Sequence, residues 1–174
     1  MTSNSLREVK GISHLTKLKR LNLDGNRIGE IDIRGLNGLQ FMSLRNNKIN
    51  SLAPFSSLTH LVHLNVSGNP IQSGFDSLQY LTKLQLLYMK DCLIDMSGDE
   101  FSFVLLDTLA SLKGLTHLAV TGNPAFDKNA KTLHPLFLQS LPGLLFFNEK
   151  ETEVRFLSEL LHLSPLTLHS SNGR

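Results

Sequence analysis

Apolar residues recur along the chain with a fixed spacing. In one unit, leucines at positions 15, 18, 21 and 23 precede an asparagine at position 26 and isoleucines at positions 28 and 31. Four further units repeat this order, and the asparagine position advances by 21, 22 and 23 residues from Asn26 to Asn47, Asn69 and Cys92. Two leucines separated by one residue are typical of a short strand whose alternate side chains point inward. One such unit cannot bury its leucines alone, so the pattern predicts units stacked on one continuous core.

The polar position of each unit predicts a ladder of buried side chains. An asparagine amide can donate to and accept from the open backbone groups of adjacent turns. Cysteine is small and its thiol is a weak donor, so Cys92 fits the same position as a structural residue. Because Cys92 is the only cysteine, it cannot form an internal disulfide. The predicted ladder consists of Asn26, Asn47, Asn69, Cys92 and Asn123.

An insertion interrupts the period between the last two ladder positions, where the spacing grows to 31 residues. Ser97 and Glu100 have the spacing of a capping box, and they precede apolar residues at helical spacing, which include Phe101, Val104, Leu105 and Leu109. The sequence therefore predicts a helix over residues 98–110 on the convex side. We favour a packing role for this helix, which would cover apolar surface, over a binding device.

The two ends of the repeat array differ from its middle. Residues 4–12 match the second half of a unit, so we expect an N-terminal half-repeat, which is either a minimal cap or the cut end of a longer chain. Residues 124–163 are predicted to form a C-terminal cap with helices over 131–141 and 150–163. The second helix would present Val154, Leu157, Leu160 and Leu161. One domain would thus cover residues 1–163, followed by a flexible tail over 164–174.

The order of leucines and asparagines matches the leucine-rich-repeat consensus. The Asn-x-Ile-x-x-Ile/Leu segments that begin at Asn26 and Asn47 resemble the short repeats of protein phosphatase 1 regulatory subunits, axonemal dynein light chain 1 and the spliceosomal A-prime protein. The stretch from Asn123-Pro124 to Leu144 resembles the cap that ends these proteins, although residues 146–150 depart from its usual Leu-Asp and turn residue. The resemblance implies an α/β fold: a right-handed solenoid with a concave parallel sheet, convex helices or 3-10 turns and a helical cap. It also implies a non-catalytic scaffold that grips another macromolecule.

Residues that flank the inward leucines form rows across the predicted strands, on the concave side opposite the core. The rows read Arg20, Phe41, His63, Leu86, His117, Phe146; then Asn22, Ser43, Asn65, Tyr88, Ala119, Asn148; then Asp24, Arg45, Ser67, Lys90, Thr121. Solenoids present this surface for binding, and clustered exposed aromatic residues mark interfaces; the alternative is that the rings only pack against each other. The candidate partner-binding residues are Phe41, Arg45, His63, Leu86, Tyr88, Lys90, His117 and Phe146.

No residue pattern typical of a catalytic or metal site is present in the sequence. It contains neither the phosphate-binding G-x-x-x-x-G-K-S/T nor the nucleophile motif G-x-S-x-G. His63 and His117 belong to one row, but two units separate their backbones by about 10 Å. Neither histidine has an obvious acidic residue as a third metal ligand. We therefore expect no enzyme activity, no metal and no cofactor.

Composition and charge narrow the function classes. An apolar fraction of 41% excludes a disordered chain. No apolar run is long enough to span a bilayer, and residues 1–10 lack the apolar stretch of a signal peptide, so we expect a cytoplasmic protein without membrane contact. Nuclear or cytoskeletal association is the alternative location. Residues 1–87 carry a net charge of +5 and residues 88–174 a net charge of −3. The basic half either steers an acidic partner or is simply a solvated face.

The sequence most strongly indicates a scaffold, monomeric by itself, that binds another protein on its concave face. Such a scaffold would be a regulatory subunit or part of a cytoskeletal or ciliary assembly. The alternative is a structural subunit of an RNA–protein particle, similar to the spliceosomal A-prime protein. The net charge of +2 is small for a nucleic-acid-binding protein, so nucleic acid is the weaker hypothesis. A steep fall of affinity with salt distinguishes the two, because phosphate contacts release counterions.

Overall fold

Short strands and turns alternate through the computed structural model, which describes residues 5–95, 99–128, 130–141, 143–148 and 150–151. The strands are β1 (Glu8–Val9), β2 (Arg20–Asn22), β3 (Glu30–Ile31), β4 (Phe41–Ser43), β5 (His63–Asn65), β6 (Leu86–Tyr88), β7 (His117–Ala119), β8 (Phe146–Phe147) and β9 (Lys150–Glu151). The helices are α1 (Asp99–Ser111), α2 (Pro124–Lys128) and α3 (Ala130–Ser140). Two 3-10 turns span Ala53–Ser57 and Phe75–Tyr80.

Six units contribute one strand each to the main sheet, and β9 is its seventh strand in the described part of the chain. The strands follow the order β2-β4-β5-β6-β7-β8-β9, and all neighbours are parallel except β8 and β9. The middle residue of each strand points into the core, and Met42, Leu64, Leu87 and Leu118 are at most 1% exposed. The parallel sheet on one side and the turns and helices on the other make the predicted α/β solenoid.

The register of the sheet agrees with the predicted rows. Arg20 pairs with Phe41, and the equivalent residues pair at each step as far as Phe146. Asn148, predicted to extend the second row, is an exception. It lies in the turn after β8 at a φ of 52°, and its Oδ1 accepts the Val120 N–H at 2.8 Å. Its side chain therefore satisfies the backbone of the preceding unit and does not continue the row.

The N-terminal residues pair with the first full unit on the far side of the core from the sheet. β1 lies parallel to β3, with Val9 opposite Ile31. The Leu6 N–H donates to Asn26 Oδ1 at 3.3 Å, and the Leu6 carbonyl accepts the Arg27 N–H at 2.9 Å. This is the geometry of the second half of a unit.

The insertion forms helix α1, as its spacing predicts. The helix packs against the 3-10 turn Phe75–Tyr80 and against α3, with Leu105 and Leu109 fully buried. Val104, expected on the apolar face, is 49% exposed. It lies one turn before the buried Thr108, at the margin of the stripe that Leu105 and Leu109 define. The predicted capping box includes Ser97, which lies outside the described residues.

Residues 124–151 add packed rings and an extra strand to the last described unit of the solenoid. Phe137 of α3 packs between Phe126 of α2 and Phe147 of β8, with ring centroids 5.6 and 5.5 Å apart, and all three side chains are buried. The prediction that a helix begins at residue 150 is wrong, because β9 pairs antiparallel with β8 there. An unpaired edge strand exposes backbone donors and acceptors, and β9 satisfies those of β8. Residues 152–174, which include Val154, Leu157, Leu160, Leu161 and the predicted tail, lie outside the described residues.

The predicted ladder residues join neighbouring units through their buried side chains. Asn69 Nδ2 donates to the carbonyls of Leu44 at 2.9 Å and Val66 at 2.8 Å, and its Oδ1 accepts the Ile49 N–H at 2.9 Å. Asn47 and Asn123 make equivalent bonds one unit before and two units after. Each amide therefore satisfies backbone groups of its own unit and of the preceding one.

Cys92 occupies the ladder position without an amide. Its Sγ lies 3.3 Å from the Val66 carbonyl, to which the thiol donates. A thiol is a poor acceptor, and the Ile71 N–H bonds instead to the backbone carbonyl of Cys92 at 3.0 Å. Burial raises the pKa of the Cys92 thiol to about 11, so the sulfur stays protonated at neutral pH and keeps its donor role.

Replacement of a ladder amide should destabilise the fold. Asn69→Ala removes the side-chain hydrogen bonds to the Leu44 carbonyl, the Val66 carbonyl and the Ile49 N–H. We therefore expect the free energy of unfolding to fall by about 1–3 kcal/mol. Asn50→Ala, at an exposed position, is the matched control and should leave that free energy nearly unchanged. Chemical denaturation followed by circular dichroism measures both. Equal unfolding midpoints for the two variants would contradict the assigned ladder.

Alanine substitutions at two glycines distinguish the cost of backbone strain from the cost of steric overlap. Gly74 (φ 77°) lies where a Cβ would overlap the backbone N of Ala53, whereas a Cβ on Gly25 (φ 68°) meets nothing within 4 Å. Gly25→Ala should cost only the left-handed strain of about 1–2 kcal/mol. Gly74→Ala adds the overlap with the preceding unit, so its melting temperature should fall further. If both variants melt at the same temperature, the units do not pack as closely as described.

Candidate functional site

A stack of side chains runs across the outer sheet face, which we define as the exposed side of the sheet opposite the core. The Arg20 guanidinium lies 4.2 Å from the Phe41 ring centroid, and the Phe41 and His63 centroids are 4.5 Å apart. His63 also lies 5.4 Å from Tyr88. Paired strands lie about 4.8 Å apart, so the sheet holds equivalent side chains at stacking distance. The result is a rigid, half-exposed surface of one cation and three rings.

A second pair of rings continues this face toward the C-terminal end. His117 and Phe146 stack with centroids 4.5 Å apart and an interplanar angle of 19°. Leu86 pairs in register with both His63 and His117, so it lies between the two groups of rings. Tyr88, His117 and Phe146 line a depression of about 270 Å³. The sheet thus brings the predicted ring residues and Leu86 onto one face.

Charged residues follow the ends of the strands. The Asp24 carboxylate accepts the Ser43 hydroxyl at 2.6 Å and the Arg45 backbone N–H at 2.7 Å. The Arg45 and Lys90 side chains line a second depression, of about 340 Å³, next to Tyr88. The two predicted cations are therefore adjacent to the rings and not on a separate surface.

The two histidines of the face are neutral at physiological pH. Burial lowers the pKa of His63 below its usual 6.5, and the Arg20 charge lowers that pKa further; burial also lowers the pKa of His117. Thr116 Oγ1 donates to the Gln85 carbonyl at 3.1 Å and lies 2.9 Å from His117 Nδ1. Because the hydroxyl proton is already engaged, Nδ1 is the donor in this pair, which leaves Nε2 of the neutral ring as an acceptor.

Two residues of this face are not predicted from the sequence. Asn46 and Asp91 have positive φ angles of 56° and 53°, and their Oδ1 atoms lie where a Cβ on Gly68 or Gly122 would be. Both residues directly precede a ladder position, and the equivalent position before Asn26, Asn69 and Asn123 is a glycine. That alternation of Gly with Asn or Asp is the signal that could have identified them. Each side chain reaches over the next unit, and the residue beneath it must be a glycine because a Cβ would overlap the Oδ1 atom.

The described residues show no site for a metal ion. No three side chains of His, Cys, Asp or Glu are grouped to hold one in that part of the chain. Likewise, none of the helices within the described ranges has the length and hydropathy needed to cross a membrane. The outer sheet face instead carries stacked aromatic rings, charged side chains and two shallow depressions.

Two family models match the first half of the chain. The model described as "Leucine Rich Repeat" matches residues 17–39, and the one described as "Leucine Rich repeats (2 copies)" matches residues 37–79. These ranges contain β2, β4 and β5 with their ladder residues. The chain folds as a leucine-rich-repeat solenoid. Its remaining strands extend the same register beyond the matched residues.

Relatives of known sequence share these repeats within larger proteins. The solenoid is 32% identical over 150 residues to a probable inactive serine/threonine-protein kinase of Dictyostelium discoideum, a match that covers 85% of this chain and 8% of that protein. It is 39% identical over 87 residues to opticin of Bos taurus, covering 47% of this chain and 26% of opticin. The chain therefore spans only a small part of these relatives.

Solved structures agree on the architecture. An internalin of Listeria monocytogenes superposes with a TM-score of 0.62 at 26% identity, covering 83% of this chain and 45% of that one. The Toll–Spatzle complex of Drosophila contains a chain that superposes with a TM-score of 0.60 at 21% identity, covering 69% of the solenoid and 18% of that chain. The second similarity extends to the fold alone.

The His63 environment predicts a pH dependence of stability. Its pKa in the folded protein is lower than in the unfolded chain, so its contribution is fully present above pH 6.5 and is lost as the pH falls through the folded value. The free energy of unfolding should therefore decline as the pH falls below about 6.5. His63→Gln should make this decline shallower, and His60→Gln, at an exposed position, should not. Denaturation at several pH values measures the slopes, and identical slopes for all three proteins would refute the assignment.

Proposed function

We propose that this leucine-rich-repeat solenoid is a non-catalytic scaffold that holds another protein on its concave, outer sheet face. Leucine-rich-repeat domains generally mediate protein–protein interaction. The observation that carries the proposal is the continuous stack of Arg20, Phe41, His63 and Tyr88. Paired strands already hold these side chains in place, so they lose little conformational entropy when a partner binds.

The chemistry of the face supports binding over catalysis. Tyrosine and arginine dominate the energy of many interfaces because they combine apolar area with hydrogen-bonding groups. The one cysteine is buried and protonated. His63 and His117 contact rings and a threonine, and neither forms an ion pair with a carboxylate of the described residues. A relative named as a probable inactive kinase is consistent with a role without catalysis.

The resemblance of the units that begin at Asn26 and Asn47 supports a finer proposal. Short repeats of this kind occur in phosphatase regulatory subunits and in axonemal dynein light chain 1. We infer a regulatory or cytoskeletal assembly subunit that works in the cytoplasm and is monomeric before it binds its partner. The outer sheet face is then the part that selects the partner.

The two tyrosines of the chain give a matched test of the binding face. Tyr88 lies on the outer sheet face, whereas Tyr80 is 52% exposed on a 3-10 turn on the far side of the core. Tyr88→Ala should weaken partner binding by about 1–3 kcal/mol and change stability little. Tyr80→Ala should change neither. Affinity capture from native cells with mass spectrometry supplies the partner, and calorimetric titration with thermal melting measures both quantities.

Three outcomes of this test would count against the proposal. If Tyr88→Ala unfolds the protein, the residue belongs to the core. If Tyr80→Ala weakens binding and Tyr88→Ala does not, the partner docks on the turns. If the captured partner is RNA and its affinity falls steeply with salt, the protein is a subunit of an RNA–protein particle.

A further inference from the structure

A gap between the two groups of rings lies above Ala119 on the outer sheet face. Tyr88 borders this gap on one side, and His117 and Phe146 border it on the other, around the depression of about 270 Å³. We call this depression the Ala119 slot. Its volume exceeds that of a cavity of about 150 Å³ that accommodates a benzene ring in another protein. The Ala119 slot is therefore large enough for one aromatic side chain.

Three positions of the second row create the Ala119 slot. Ala119 pairs in register with Tyr88, and its side chain is only a methyl group, so the space beside the Tyr88 ring stays open. The next position of the row is Asn148, whose side chain turns back to the Val120 N–H. The row therefore stops at Ala119, and a large, a small and a withdrawn side chain together shape the slot.

The sheet places an occupant of the Ala119 slot at stacking distance from Tyr88. Paired strands lie about 4.8 Å apart, so a ring above Ala119 on β7 is one strand spacing from Tyr88 on β6. The same spacing sets the centroid distances of the two parallel-strand ring pairs described above, which are both 4.5 Å. Tyr88 packs on His63 of β5, on the side away from the slot. A bound ring would therefore join the two groups of rings into one continuous stack.

The lining of the Ala119 slot matches a neutral occupant that carries a hydrogen-bond donor. Among the described residues, none that lines the slot is charged, because burial lowers the pKa of His117 and keeps its ring neutral. A carboxylate placed there would lose its hydration without gaining a cationic partner. His117 Nδ1 donates to Thr116 Oγ1, and no donor in the described part of the chain bonds to Nε2. An aliphatic occupant would cover this acceptor and leave it unpaired, which costs free energy.

Tryptophan is the side chain that meets both requirements. Its indole is a large flat ring system, and the N–H on the ring edge is a donor with no acceptor capacity. Tryptophan is also among the residues that contribute most to the energy of protein interfaces. We propose that the partner inserts a tryptophan side chain into the Ala119 slot, where the indole stacks on Tyr88 and donates to His117 Nε2. This inference rests on the proposed function and names the chemistry of its partner.

Selection of short random peptides on the full chain tests the inference before the partner is known. The wild-type chain should enrich peptides that contain tryptophan. Ala119→Leu fills the slot from its floor and should lose this enrichment. Thr121→Leu, two residues further along the chain and outside the slot, is the matched control and should keep it. Thermal melting of both variants shows whether each one folds.

Several results of the selection would overturn the inference. Enriched peptides that share leucine, phenylalanine, tyrosine or arginine in place of tryptophan would do so. Equal enrichment of tryptophan on Ala119→Leu and on the wild-type chain would also do so, as would the absence of any enriched peptide. If Ala119→Leu does not fold, a comparison of His117→Phe with the wild-type chain decides the question.

Tryptophan fluorescence makes that comparison on individual peptides. The chain has no tryptophan, so the emission of a bound peptide is observed without an indole background. The probes are the most enriched peptide and the same peptide methylated at its indole nitrogen, which removes the N–H. Methylation should weaken binding to the wild-type chain about five- to tenfold, because one hydrogen bond is lost. His117→Phe keeps a ring at this position but has no acceptor, so it should bind both peptides equally.

The two peptides also show when the assigned hydrogen bond is wrong. If the wild-type chain binds both peptides equally, the indole N–H makes no bond in the slot. If His117→Phe distinguishes them as strongly as the wild-type chain does, the methyl group meets a steric obstacle and His117 is not the acceptor. Either result would contradict the proposed position of the tryptophan.

The captured partner separates this inference from the function on which it rests. If the partner depends on Tyr88 but binds Ala119→Leu as tightly as it binds the wild-type chain, the scaffold proposal stands and the tryptophan inference is wrong. If the partner is indifferent to Tyr88→Ala, the binding face itself is wrong, and with it both proposals.

Discussion

The structure depends on the hydrogen bonds that buried amides make between successive units. Each turn of the solenoid leaves backbone carbonyls and N–H groups inside the protein, where an unpaired group costs more than a typical hydrogen bond gains. Asn47, Asn69 and Asn123 satisfy them with one side chain each, which bonds to its own unit and to the preceding one. The ladder therefore determines how units stack, and stacking determines the alignment of the strands that carry the outer sheet face.

The alignment brings residues that are distant in the chain together on one surface. Residues that lie 21 to 31 positions apart in the chain become neighbours at strand spacing, which is how Phe41, His63 and Tyr88 form one stack. The core leucines at the strand centres fix the backbone beneath them, so the side chains above face solvent from a rigid platform. Variation at the outward positions changes the partner chemistry without disturbing the ladder, which is why one fold supports many partners.

Periodicity in the sequence predicts the repeating parts of the structure, but it does not capture features that depend on tertiary geometry. The period predicts the strand register, and the apolar spacing within the insertion predicts a helix over 98–110, which the structure has at Asp99–Ser111. It misassigns residue 150, because pairing with β8 outweighs the helical pattern of the residues after it. It also does not predict that His63 stacks on Tyr88. The two residues belong to different rows, and the period predicts only which residues share a row. Val104 follows the apolar spacing but lies at the edge of the surface that α1 covers.

Radical footprinting of the full chain with its captured partner tests the central claim most directly, because it reports which side chains the partner covers. Phe41, Tyr88 and Phe146 lie on the outer sheet face and are partly exposed, while Tyr80 and Val104 are exposed on the opposite side of the core. We expect labelling of the first three residues to fall when the partner binds and labelling of Tyr80 and Val104 to stay unchanged. Protection of Tyr80 and Val104 with undiminished labelling of Tyr88 would contradict a partner bound on the outer sheet face.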